Sequence, residues 1–348
     1  MILNETPIRT SNNYRINNLE MNFKLPEKIN EFKSITITGD TEKFEISNNT
    51  GNKTLKYGNG KELEELVFNR GNQNIKISDT KSGILYLDFK LNKNERNLIE
   101  NIEIDANTKS KTTIIIKYMS DEGQEYFHNG IIRVNAHEDS KTNIVILNML
   151  NSKTNSLLSI ENELERNSRV DYTIVDFGGK TSITNYYSNI KGNNAKSNIN
   201  TIYLGKEKQL FDINYIAELY GEAAEVNINV QGALKDEAKK NFKGTIDFKK
   251  GCKKSKGDEN EFCMLLSDKA RSKALPMLLC TEEDVEGNHA SSAGKIEDDK
   301  MFYIMSRGIS EKDAMKLMVK AKFNKILETI KDEILKESIL NEIDKRLD

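Results

Sequence analysis

Tryptophan is absent from the 348 residues, and proline, cysteine and histidine occur only three times each. Three cysteines at wide spacing give no disulfide framework and fit a reducing compartment. No apolar run approaches the roughly 18 residues that a membrane span requires. Residues 1–20 carry Asn4, Glu5, Arg9 and Arg15 and lack the apolar stretch of a secretory signal. A formal net charge of −2 provides no overall field for nucleic acid or acidic membranes. The expectation is therefore a cytoplasmic protein without nucleic-acid or membrane partners. There is no G-x-x-x-x-G-K-[ST], G-x-G-x-x-G or G-x-S-x-G pattern, so nucleotide binding and serine hydrolysis have no local support.

What is present is a long succession of short β-branched and aromatic runs. An apolar fraction of 37% beside 30% charged residues points to a thin or elongated core. Residues 1–74 form a mixed α/β region, with a short helix expected over 26–33 behind Pro26. Strands are expected over 35–38 and 44–46, and the segment SNNTGNKTLKYGNG reads as exposed turn. Over residues 75–297 the runs GILYLDFKL, KTTIIIKYM, GIIRVNA, TNIVILNML, RVDYTIVDF and their successors recur between clusters of Asn, Gly, Ser and Lys. Val226, Ile228 and Val230 alternate with Asn227 and Asn229, the period of a strand with one buried face. The strands are more numerous than a sandwich uses and their turns vary in length, which favours a β-solenoid although no strict repeat is visible. Asparagine is abundant and tolerates the left-handed conformation of tight turns.

Residues 298–348 switch to helical periodicity. A short apolar helix ends at Gly308, and Ser310 caps the next, whose Met315, Met318, Val319, Lys322, Ile326, Ile330 and Ile334 fall on one face. A last amphipathic segment carries Ile339, Leu340, Ile343 and Leu347.

Few residues suggest chemistry. Cys252, Cys263 and Cys280 lack metal-site spacing, and inert burial is the default. Cys280 is distinguished by closing a strand before an acidic stretch. The pair Gly178-Gly179 reads as a turn, and His128 and His137 lie in polar turns where solvation is expected. His289 stands in EGNHASSAGK among Glu282, Glu283, Asp284 and Glu286, which would solubilise the loop or orient the ring. Imidazole is a ligand suited to iron.

The run LLSDKARSKALPMLLCTEEDVEGNHASSAGKIEDDKMFYIMSRGISEKDA resembles the SufB/SufD family of iron–sulfur cluster assembly proteins. It carries a leucine-rich strand, Ser267-Asp268, Ala270, Pro276, Asp284-Val285, His289, Gly294 and the stretch Phe302 to Ser310. VDFGGK, GALKDEAKKNFKGTI, FDIN and TPIRTSNNYRINN resemble further family landmarks. The resemblance implies a right-handed parallel β-helix between an N-terminal mixed region and a C-terminal helical module. It implies a non-enzymatic scaffold that binds a SufC-like ATPase and pairs with a SufB-like paralogue. A homodimer without a distinct SufB is the alternative, and a carbohydrate-active β-helix enzyme is the rival from another class. Ala270 and Ala290 stand where SufB-like members have cysteine and glutamate, which favours SufD. Gly287 replaces a cysteine that some relatives carry, and a histidine frequent after FDIN is missing.

By the same resemblance, His289 is the expected ligand for iron or a transient cluster, with Cys280 a weaker candidate. No stably bound cofactor is implied, and a reduced flavin in the assembled complex is left open. Met301, Phe302, Tyr303, Arg307, Gly308 and Met315 are the expected ATPase-binding residues.

Overall fold

A computed structural model describes residues 1–22, 24–51 and 53–348. Two short strands, β1 (Ile2–Leu3) and β2 (Leu19–Glu20), pair antiparallel, and β3 (Ile35–Gly39) and β4 (Phe44–Ser47) follow before helix α1 (Lys61–Arg70). Then come β5 (Gln73–Asp79), β6 (Gly83–Leu91), β7 (Asn97–Ala106), β8 (Lys111–Ser120), β9 (Phe127–Ala136), β10 (Lys141–Met149), β11 (Asn155–Leu164) and β12 (Arg169–Asp176). The series continues through β13 (Thr181–Ile190), β14 (Lys196–Gly205), β15 (Leu210–Leu219), β16 (Glu225–Leu234), β17 (Lys239–Phe248), β18 (Ser255–Leu265), β19 (Arg271–Cys280) and β20 (Val285–Lys295). Helices α2 (Asp298–Met305), α3 (Glu311–Leu327) and α4 (Glu333–Leu347) complete the chain.

From β5 onward, odd strands pair with odd and even with even, all parallel, so the chain winds a β-solenoid of about 8 turns between two sheets. This is the parallel β-helix expected from the strand count. The two sheets end differently. At one end β3 and β4 join β6 and β5 antiparallel and close the coil, whereas β20 and β19 form the other end, with no strand of the described residues beyond them.

Left-handed backbone recurs at the turns, at Lys109, Asp139, Asn167, Asn194, Ala223 and Lys254 among others. The cause is stacking: Asn167 N–H donates to Asn193 O (2.9 Å), and Asn194 N–H to Glu222 O (2.8 Å) in the next coil. Asparagine fills only some of these positions. The repeat is one of conformation, which is why the sequence shows no strict one.

Register partners run along the lumen as columns. Ile114, Ile144, Tyr172, Ile199 and Ile228 form one, and Ile116, Ile146, Ile174, Thr201 and Val230 its neighbour. On the facing sheet Ile132, Ile160, Tyr186 and Tyr215 are aligned, with Tyr172 and Tyr186 packed edge to face at 5.2 Å between centroids. Polar groups occupy one corner. His128 is buried there, its Nδ1 2.9 Å from Ser156 Oγ and its Nε2 3.2 Å from Glu100 Oε1. The expectation that His128 is solvated is thus wrong, because HNG continues strand β9 instead of turning. His137 does lie at the surface, its Nδ1 3.2 Å from Glu165.

The outer faces are covered by the rest of the chain. Val319, Phe323, Ile326, Leu327, Ile339 and Ile343 of α3 and α4 bury against Val145, Leu147, Val175, Ile202 and Leu204 of the even sheet. Each such side chain contributes roughly 1.5–3 kcal/mol on burial. Ile334 departs from the expected face: it lies 84% exposed, because the α3 helix ends at Leu327 and Ile334 begins a new helix in α4. Gly308 (φ +85°) ends the α2 turn and Ser310 Oγ accepts from Asp313 N–H, as expected.

The helix expected over 26–33 is absent. That stretch is extended, and its carbonyls accept from side chains of the body: Arg70 to Glu27 O (2.6 Å), Asn97 to Lys28 O (3.0 Å) and Asn72 to Asn30 O (2.8 Å). The helix of this region is α1, which buries Leu63, Leu66 and Val67. The turn-rich segment before it includes Asn52, outside the described residues. The segment is mainly surface as expected, but Leu55 and Asn59 are buried.

Asp176 yields a pH prediction. It accepts from Ser182 Oγ (2.6 Å) and Asn148 Nδ2 (2.9 Å). Burial nevertheless pushes its carboxyl up to about 7, against the lowering by these bonds and Arg346. A raised folded-state value means that the native chain binds more protons than the unfolded one. This contribution to stability is therefore full below about pH 4 and declines towards pH 7. Asp176→Asn should lack that decline, so the difference in Tm between variant and parent should widen in the variant's favour from pH 5 to pH 8.

Candidate functional site

The open end of the solenoid is where the sequence candidates converge. Its last strand, β20, is exposed along nearly its whole length. Among the described residues its one ladder is with β18, in which Gly257 aligns with Gly287, Glu259 with His289, Glu261 with Ser291 and Cys263 with Ala293. Alternation fixes direction: in β18 the buried positions Gly257, Glu259, Glu261 and Cys263 line the lumen, and the intervening ones face outward. His289 accordingly lies on the lumen side at the mouth, stacked on Glu259. Ser291 confirms the orientation, donating to Glu261 Oε2 at 2.8 Å. His289 is on a strand, not in the loop its polar neighbours suggest.

The acidic residues next to His289 in sequence are not those next to it in space. Glu286 faces outward and pairs with Lys256 at 3.0 Å, and Glu282 accepts the Gly251 N–H at 2.8 Å in the turn. The expectation that these acids orient the ring is corrected: the carboxylate aligned with His289 is Glu259.

Below the mouth the lumen becomes charged. Lys240 Nζ lies 2.6 Å from Glu261 Oε1 with both side chains fully buried, and it also donates to Lys273 O at 3.2 Å. Glu261 is thereby neutralised and hydrogen-bonded. Glu259 is also fully buried, but neither of its carboxyl oxygens has a hydrogen-bond partner. Burial, and then the neighbouring Glu261 charge, push its carboxyl up to about 8. Cys263 is buried beside this pair, and burial raises its thiol. Cys252 is buried likewise, so both cysteines follow the inert reading.

Cys280 is exposed at the end of β19, where its thiol donates to Glu282 O at 2.9 Å. It aligns with Phe248 at the corner, whereas His289 lies at mid-strand in the other sheet. The structure does not bring the two together. Among the described residues no three His, Cys, Asp or Glu side chains converge as a metal site.

The second candidate surface follows directly. Only Ile296 and Glu297 separate β20 from α2, which buries none of its residues. Phe302 is 76% and Tyr303 58% exposed, with Met305 and Ile309 also exposed. Arg307 packs over the Tyr303 ring at 4.4 Å. Met301 lies on the same helix, Gly308 in its terminating turn and Met315, half-buried, on α3. Large apolar groups left this bare are a signature of a protein interface.

The residues that sequence reading missed are Glu259, Glu261, Lys240 and Ser291. Their signal is a break in the lumen columns, visible only once the register is known.

Fold and site together define a parallel β-helix protein with one uncapped end and a histidine at its mouth. Residues 89–322 match the family model described as SUF system FeS cluster assembly, SufBD core domain, so the chain belongs to the SufB/SufD family of iron–sulfur cluster assembly proteins. It is similar to the iron–sulfur cluster assembly protein SufD of Bacillus subtilis, with 23% identity over 73% of this chain and 59% of that protein. A SufBD family protein of Pyrococcus horikoshii is 30% identical over 58% of this chain and 45% of its own length. Escherichia coli SufD is 25% identical over 49% of this chain and 40% of its own length. The chain thus spans about half the length of these relatives, on the family-level alignment. No described helix is long and apolar enough to cross a membrane.

The buried ion pair generates a stability prediction. Lys240→Met leaves Glu261 uncompensated and should cost about 3–5 kcal/mol in denaturant unfolding. Adding Glu261→Gln should recover most of that loss.

Proposed function

We propose that this chain is the SufD-like scaffold subunit of a SufBCD-type complex, non-catalytic in itself and working in the cytoplasm. The observation that carries this reading is His289 on the lumen side of an exposed terminal strand. The unpaired ladder edges of β19 and β20 suit strand addition by a partner with the same end. A SufB-like paralogue is that partner, and iron or a nascent cluster is the cargo assembled at the seam. His289 supplies one ligand from this side. Ala270 and Ala290 leave sulfur receipt to the other subunit. Cys280, at the corner of the same seam, is a lesser donor, and a reduced flavin belongs to the assembled complex if it binds at all.

The exposed α2 surface, with Met301, Phe302, Tyr303 and Arg307, and with Gly308 and Met315 behind it, docks the SufC-like ATPase. Apolar and arginine side chains of this kind dominate interface energetics.

His289→Ala should lower cluster assembly by the full complex at least about 10- to 100-fold, the scale found when only a partner supporting a metal ligand is removed. Unchanged assembly would rule out the ligand role. Phe302→Asp combined with Arg307→Glu should abolish co-purification with the ATPase; intact co-purification would exclude this docking surface. Native mass measurement of the chain with and without its paralogue separates the heterodimer from a homodimer.

A further inference from the structure

One lumen column stays apolar through six successive coils before it changes character. Leu85, Ile114, Ile144, Tyr172, Ile199 and Ile228 succeed one another coil by coil, and the next member is Glu259, followed by His289. In the neighbouring column Val230 is followed by Glu261 and Ser291. An isoleucine or valine at 259 would continue the packing at no electrostatic cost. A buried carboxyl without a hydrogen-bond partner costs free energy, and such groups mark function more readily than stability. Glu261 does not share the problem, because Lys240 and Ser291 satisfy it.

The facing sheet makes room for this carboxyl. Tyr186 and Tyr215 fill their column until the level of Glu259, where Gly244 takes over. A Cβ at position 244 would overlap the Glu259 carboxyl group. The space left by the missing side chain is occupied by a bare carboxyl pointing across the lumen.

We propose that Glu259 is the inner ligand of a divalent-cation site in the last coil, with His289 as its outer ligand. This rests on the reading of His289 as a ligand and extends it inward by one coil. Neighbouring strands are about 4.7–4.9 Å apart. A carboxylate and an imidazole stacked across that distance can each reach one ion at about 2.0–2.2 Å. The pair suits Fe²⁺, Mn²⁺ or Zn²⁺, and its remaining positions stay open to water and to donors from the partner strand. The cation supplies the charge that Glu259 lacks, and it enters through the mouth that β20 leaves exposed.

The test is anaerobic titration of the full-length chain with Co²⁺, read by its visible absorption, for the parent, Glu259→Gln, Glu259→Ile and His289→Ala. Glutamine mimics a neutral, empty Glu259, and isoleucine restores the apolar column, so both variants should fold, with Tm at or above the parent value. The parent should bind one equivalent, and all three variants should bind about 10- to 100-fold more weakly. Loss in His289→Ala alone would overturn the role of Glu259 and leave the His289 reading intact. Loss in the Glu259 variants alone would overturn the paired site together with that reading. Equal binding by all four proteins overturns both, and no binding by the parent overturns the paired site while the assembly assay on the complex decides the His289 reading.

Discussion

Every coil of a parallel β-helix depends on its neighbours, because along the axis a lumen side chain is covered by the residues one coil before and after it. Interior coils satisfy this automatically, and their columns of Ile, Tyr and Val need no other support. The two terminal coils cannot. At one end the chain solves the problem with β3 and β4, which turn antiparallel and place Phe44 in the core. At the other end no strand of the described residues pairs beyond β19 and β20, and the lumen opens with His289 and Ser291 at its rim. An uncapped edge of this length invites pairing and is retained where pairing is the purpose.

The same constraint explains where chemistry can be placed. A polar group in an interior coil has only the lumen from which to draw partners, as His128 does from Glu100 and Ser156. Satisfied groups of that kind specify packing and are closed to ligands. Only the coil beneath an open mouth can hold a group that awaits a partner from outside. Glu259 is such a group, and Gly244 opposite it removes the side chain that would otherwise seal the space. Glu100 and Asp176 are buried carboxyls too, but each makes side-chain hydrogen bonds. Both oxygens of Glu259 lack one among the described residues, the kind of departure from core rules expected of a functional site.

Much of the fold was legible because the solenoid writes each strand as a separate β-branched run; GILYLDFKL is β6 without adjustment. Gly308 and Ser310 marked helix boundaries by local chemistry alone. Residues whose role depends on other strands were not legible. His128 looked like a turn residue because Asn129 and Gly130 follow it, yet Gly130 is in the strand and lies against the Glu100 side chain. The extended stretch at 26–33 is fixed by side chains of α1 and the first coils, which local helix signals cannot report. For the site, His289 was identifiable from the family motif, but the motif pointed to the adjacent acids instead of Glu259. A carboxylate thirty positions away in sequence becomes the neighbour only through the ladder.

The chain covers part of the outer surface of its last coils with its own segments. Ile16 packs on Leu275 and Met277 outside β19, and Lys273 Nζ donates to Tyr14 O at 2.9 Å. Further along the same sheet, Asn4 is held by Asp212 and Lys243, a buried pair that also fixes the N-terminal segment to β15 and β17. On the even sheet, Met264 of β18 is buried under α3 and α4. These contacts cover part of β18 and β19, whereas β20 keeps its outward face as well as its ladder edge and the lumen mouth exposed. Helix α2 follows β20 after Ile296 and Glu297 and also packs on α3, so the exposed helix lies between the strand of His289 and the helices that cover the even sheet.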